Sequence, residues 1–168
     1  MQWSLVGPDT QGVRFNSQAD PILDSIGDAR VSHPDEFKQI MSDLEANNVR
    51  VNIDTRSSTI AYDPDGNTIH LPERFSISAL RHEVGHFVDH KNLGSPRFIE
   101  YFRYPELRVA TERRQYLNEI RFAREIGDDN ARRTLIQNYL NERKDIVDNY
   151  YQRPYGGRYN SNPFGGNQ

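Results

Sequence analysis

Arg81-His82-Glu83-Val84-Gly85-His86-Phe87-Val88-Asp89 decides the reading of this chain, because the same nine residues specify a helix and a chemistry. Ala79, Leu80, Val84, Phe87 and Val88 recur at helical spacing and give the segment an apolar side. The pattern predicts a helix from Ser76 or Ser78 to Lys91, starting after Pro72 has stopped the preceding segment. Residues four apart lie one above the other on a helix, so His82 and His86 can present ring nitrogens to one metal ion. Glu83 is rotated by about 100° from His82, near enough to reach a water on that metal without being a ligand. Zinc in such a setting lowers the pKa of water to about 7. The Glu83 carboxylate then takes the proton as the water attacks a carbonyl, and passes it to the leaving amine.

A hydrolytic zinc site needs a third protein ligand and one open position. The chain has no cysteine, so that ligand must be His, Asp or Glu. His90 lies eight residues beyond His82, about 12 Å along the axis, too far to share an ion with it. The next helix, expected from Pro105 to about Ile126 with Gly127 at its C-terminal cap, offers Glu106, Glu112 and Glu119. Stepping about 100° per residue, Glu106 falls inside an apolar arc formed by Ala123, Tyr116, Val109, Ile120, Leu117 and Ala110. Arg113 shares that arc, Glu112 sits at its edge, and Glu119 lies beyond it. A carboxylate aimed into a core is costly unless it meets a cation or a metal. Helical phase therefore favours Glu106 as the third ligand, with Glu112 as the alternative.

Around this centre the pattern is mixed. Residues 1–33 read as an irregular lead-in, and from Pro34 Phe37, Ile40, Met41 and Leu44 mark a helix that ends at Asn47-Asn48. Val49, Val51 and Ile53 alternate as a half-buried strand. Thr59–Tyr62 and Thr68–Leu71 flank Asp63-Pro64-Asp65-Gly66-Asn67, the signature of a hairpin. A last helix is expected over 129–150. The order predicts one α+β domain over 1–150, with a small antiparallel sheet, an active-site helix and two further C-terminal helices. The segment 151–168, rich in Gly, Asn and Tyr, reads as a flexible tail.

His82-Glu83-Val84-Gly85-His86 followed by Glu106 resembles the gluzincins, the HExxH zinc metallopeptidases of the zincin clan whose third ligand is a Glu on a later helix. The string through Phe87, Val88 and Asp89 is similar to the active helix of lethal-factor-like and small bacterial toxin-type metallopeptidases. Asp89 and Asn92 stand where metzincins carry Gly and His, which excludes that class. Ala110 replaces the Asp that thermolysin-like enzymes carry four residues after the ligand Glu. The resemblance implies a compact zincin-like fold, Zn2+ as cofactor, a protein or peptide substrate, and Thr68–Leu71 as the edge strand that pairs with it. It also implies an oxyanion donor just before the third ligand, where Tyr101, Arg103 and Tyr104 stand, Tyr104 being the choice. Asp89, near the face of both histidines, is the expected second partner of a ligand imidazole. A toxin-type domain further implies export within a larger effector and a cognate inhibitor or immunity protein.

Charge and hydropathy narrow the classes. A net charge of −3 and a pI near 5.9 give no general attraction to nucleic acid. The arginines of the last two helices alternate with Glu and Asp, as on solvated helices with internal ion pairs. No run is long and apolar enough for a membrane span, and no signal-peptide pattern opens the chain. The competing reading is a non-catalytic zincin-fold binding module that retains a structural zinc. An intact Glu83 speaks against it, since a structural site has no use for a general base.

Overall fold

The computed structural model describes residues 19–151. Two single-turn helices, α1 (Leu23–Ile26) and α2 (Ala29–Ser32), occupy the stretch expected to be irregular, and α3 (Pro34–Ala46) follows with proline in its first turn. Asn47 closes α3 and Asn48 takes a left-handed φ of 56°, which turns the chain into β1 (Arg50–Asp54). Strands β2 (Ala61–Asp63) and β3 (Thr68–Pro72) come next, then α4 (Ile77–Asn92), α5 (Phe98–Arg103), α6 (Pro105–Glu125) and α7 (Asp129–Ile146). A π-helical turn, Val147–Tyr151, ends the described chain. Among the described residues the architecture is α+β, seven α-helices with a three-stranded sheet. Positions 1–18 of the expected domain and 152–168 of the expected tail lie outside the described residues.

The sheet corrects two expectations. The hairpin forms, with Ala61 opposite His70 and Asp63 opposite Thr68, closed by Asp63 Oδ1 accepting from the Asp65 N–H. The first strand, however, pairs parallel with the third, Arg50 opposite Thr68 and Asp54 opposite Pro72, so the sheet is mixed and not purely antiparallel. The order is β1-β3-β2. Thr68–Pro72 is therefore the central strand, hydrogen-bonded on both sides, and has no edge to offer an extended ligand. The edges are β1 and β2.

Two apolar clusters flank the centre of the molecule. The first joins the sheet to α3 and α4 through Leu44, Val49, Tyr62, Ile69, Leu71, Phe75, Ile77 and Leu80. The second joins α6 to α7 through Tyr116, Ala123, Ala131 and Leu135, with Ile22 between them. Burying a side chain such as Leu80 or Leu135 completely is worth about 1.5–3 kcal/mol, and both are fully buried. Helix α4 starts at Ser76, whose hydroxyl accepts from the Ala79 N–H. Asp20 secures that start: its carboxylate accepts from both the Ser76 N–H and the Ser76 hydroxyl, each at 2.6 Å. The N-terminal half of α4 thus fastens to the sheet, while its histidines face α6.

Candidate metal centre

The i, i+4 spacing on α4 brings the His82 and His86 rings to 4.8 Å between centroids. Across the gap, Oε2 of Glu112 on α6 lies 3.4 Å from Nε2 of each. One ligand atom from each of the three lies within 4.8 Å of the others, a geometry that could hold a metal ion. All three are buried, between 1% and 4% exposed. Glu83 is fully buried beside them, and neither of its carboxylate oxygens has a hydrogen-bond partner.

The structure brings Glu112, not Glu106, to the histidines. Helix α6 is continuous from Pro105, so no kink intervenes. What differs is which face points inward. Beside Tyr116 and Ala123, which pack toward α7, the buried residues of α6 include the polar run Arg108, Thr111, Glu112, Gln115 and Glu119. Of the expected arc, Tyr116, Ala123 and Ile120 pack in the α6–α7 core, while Leu117 is 44% exposed and Ala110 lies on the surface. Apolar side chains mark the inward face of a helix only where the neighbour is apolar, and α6 meets α4 along the side that carries His82, Glu83 and His86. Glu106 is half-buried six residues earlier, with its oxygens shielded and unpartnered, outside the three-residue group. Arg113, placed by the same phase argument in the inward arc, is exposed.

The surrounding partners also differ from expectation. Nδ1 of His82 is 2.7 Å from Oε2 of Glu119, whose other oxygen accepts from the Ser78 hydroxyl at 3.1 Å. A carboxylate there fixes the tautomer that leaves Nε2 turned toward Glu112. Asp89 accepts from Gln115 Nε2 at 2.9 Å and from Arg114, so it fastens α6 to α4. Gly85 permits this contact: a Cβ there would collide with the Gln115 amide. Tyr104 sits half-buried at the joint between α5 and α6, outside the metal-holding group. Arg103 pairs with Glu100, and the Tyr101 hydroxyl meets His90 Nδ1 at 3.0 Å. The phenol against the centre is Tyr116, its ring edge-on to His82 at 5.1 Å and its hydroxyl donating to Glu142.

Sequence reasoning weighs Glu119 only as a ligand and sets it beyond the apolar arc; it does not single out Gln115 or Glu142. For Glu119 and Gln115 the sequence does carry a sign, since Glu112, Gln115 and Glu119 recur at three and four residues with no apolar residue on the same line.

Electrostatics tie the group together. Burial pulls the His82 imidazole down, but the Glu119 and Glu112 carboxylates outweigh it and raise the group to about 9. Burial pushes Glu112 up, and His86 and His82 overcome it, holding the carboxyl well below the usual range. Glu142 rises to about 8, through burial and then repulsion by Glu112, against which Arg108 and His82 act only in part. A cavity of about 330 Å³ opens between α4 and α6 with Ser78, His82 and Glu119 in its wall. It gives solvent a route to one of the three grouped side chains.

Two imidazoles and a carboxylate, with one position left for another donor, form the donor set that suits zinc. The concentration of buried carboxylates also suits a dication: Glu83, Glu112, Glu119 and Glu142 are each at most 5% exposed. Burying that much like charge is costly without a compensating cation. No protein-family model, curated protein or solved structure matches this chain. Among the described residues, no helix is long and apolar enough to cross a membrane.

Proposed function

We propose that this chain is a zinc-dependent peptide hydrolase in which His82, His86 and Glu112 hold the ion and Glu83 is the general base. The observation that carries the reading is Glu83 itself, fully buried next to the three ligating side chains with both oxygens unpartnered. A buried carboxylate without donors costs on the order of several kcal/mol, and a nearby dication with its water would supply the charge and the donor that Glu83 lacks. A binding module with a purely structural zinc leaves Glu83 without a role.

Bound zinc supplies Lewis acidity, polarising a substrate carbonyl and acidifying water. Glu83 accepts the proton of the attacking water and delivers it to the leaving nitrogen. Glu119 holds the His82 ring in register, braced by Ser78. Gln115 and Asp89, meeting over Gly85, fix the spacing between α4 and α6, and with it the reach of Glu112. An extended substrate would add to the outer edge of β2, whose Tyr62 packs on Phe87 of α4.

Elemental analysis after zinc reconstitution is expected to give one zinc per chain, and an unbiased peptide pool to be cleaved. Glu83→Gln should keep the zinc and lose cleavage by about 10²-fold or more. Full turnover by that variant, or no zinc in the wild type, would sink the reading.

A further inference from the structure

The sheet has an edge that the proposed reaction does not use. Strand β1 pairs with β3 on one side, and among the described residues no strand pairs with it on the other. Arg50 donates its N–H to the Asn67 carbonyl, on the β3 side. Backbone groups alternate along a strand, so the N–H and C=O of Val51 and Ile53 point away from β3, to the open edge. Their side chains share one face of the sheet, where Val51 packs on the core and Ile53 is 41% exposed. Arg50, Asn52 and Asp54 share the opposite face, on which Asn52 meets His70 Nδ1 at 3.2 Å. The two charged residues are held loosely. Arg50 reaches the Gly66 carbonyl at 3.3 Å, and Asp54 lies 3.6 Å from an Arg56 side chain that is itself 91% exposed.

We propose that the outer edge of β1 docks on the same edge of a second copy of this chain, antiparallel about a two-fold axis at Asn52. The occupant is a second copy because the edge is complementary to itself: Arg50 stands two residues before Asn52 and Asp54 two residues after. In that register Val51 faces Ile53 of the second copy, and these are the residues whose backbone groups point outward. They exchange both hydrogen bonds, and the symmetry repeats the exchange. Arg50 falls opposite Asp54 of the second copy at each end of the ribbon, a favourable cross-strand pair made twice. A slip of one residue sets outward-pointing groups against inward-pointing ones and breaks the ladder. A slip of two keeps the ladder but sets Asn52 against Arg50 or Asp54, and loses both ion pairs. Charge therefore selects the register. Charged side chains ordinarily guard an open edge against pairing; here their signs admit this one partner. The contact also brings Val51 of the second copy beside the exposed Ile53. The ribbon joins two strands of five residues each, well below the roughly 1,200 Å² of a standard interface, so the dimer is weak, with a dissociation constant on the order of 10–100 µM. In the order β1-β3-β2 the β2 edge stays free, so the dimer neither needs nor blocks the hydrolase reading.

Sedimentation equilibrium of the full chain, from about 10 µM to 1 mM, tests the proposal. The wild type is expected to pass from monomer to dimer across that range. Arg50→Asp sets acid against acid at both ends, and Asp54→Arg sets base against base, so each variant alone should associate at least about ten-fold more weakly. An equimolar mixture of the two variants restores both opposite-charge pairs, and should dimerise within about three-fold of the wild type. Circular dichroism checks that these exposed substitutions leave the fold intact. A wild type that stays monomeric throughout overturns the proposal without recourse to any variant. Dimerisation that survives both single reversals overturns the assignment to this edge, and a mixture that fails to associate overturns the register. Zinc content and cleavage are read separately, so neither result bears on the other.

Discussion

Truncating Glu112 and Glu106 in parallel separates the two third-ligand candidates. Glu112 Oε2 lies 3.4 Å from both histidine Nε2 atoms, whereas Glu106 stands outside the group. Four-ligand structural zinc sites are worth about 10–16 kcal/mol, or roughly 3–4 kcal/mol for each ligand. Glu112→Ala should therefore weaken zinc binding by about 10²- to 10³-fold. Glu119→Gln, which keeps the His82 contact but removes its charge, should weaken it by about 10- to 100-fold, the usual cost of an outer partner. Glu106→Ala should stay within about three-fold, because it removes no ligating atom from the group. Competitive titration with a chromophoric chelator at fixed pH measures all three on one scale, and circular dichroism confirms that each variant is folded. If Glu106→Ala loses as much as Glu112→Ala, or if Glu112→Ala loses less than about ten-fold, the ligand geometry argued here is wrong.

Two further outcomes do not depend on any metal. Gly85→Ala should destabilise the fold by about 1–3 kcal/mol through its collision with Gln115, and adding Gln115→Ala should make the combined loss in urea denaturation smaller than the sum of the two single losses. Strict additivity would show that the two side chains do not meet. Asp20 is raised by burial from 3.8 to about 6, so the folded protein keeps a proton that the unfolded chain releases between those values. Stability therefore falls as pH rises through that window, by about 3 kcal/mol at 1.36 kcal/mol per unit. Asp20→Asn should remove that part of the slope between pH 4 and 7, and an unchanged slope would refute the assignment.

What the sequence disclosed follows from how local each feature is. The bounds of α3 and α4, the β2–β3 turn and the start of α6 are written in prolines, asparagines and apolar spacing within a few residues. The α+β class follows from them. The parallel pairing of β1 with β3 is not local, because it depends on the chain passing through β2 before returning to the neighbouring position. The inward face of α6 is harder still. Amphipathic reasoning puts Glu112 at the edge of the inward arc and Glu119 beyond it, and it misplaces them because their neighbours on α4 are imidazoles and a carboxylate. Tyr104 and Asp89 were reached through resemblance and rough facing, which fix neither a side chain's direction nor its partner. Asp89 binds Arg114 and Gln115 across the α4–α6 gap.

The linker between α4 and α5 coincides with a division of labour. Gly94 and Ser95 both take positive φ there, 80° and 56°. Everything before them supplies His82, Glu83 and His86 on the sheet-backed body. Everything after supplies Glu112, Gln115 and Glu119 on the α6–α7 body, to which Ile22 and Ile26 are the early contributors among the described residues. A chain cut between Gly94 and Ser95 would yield two pieces, one with the two imidazoles and one with the carboxylate of the proposed metal centre, neither holding the whole group. Metal capture would then become a property of their encounter, and the protein a natural candidate for fragment complementation with an ion as the latch.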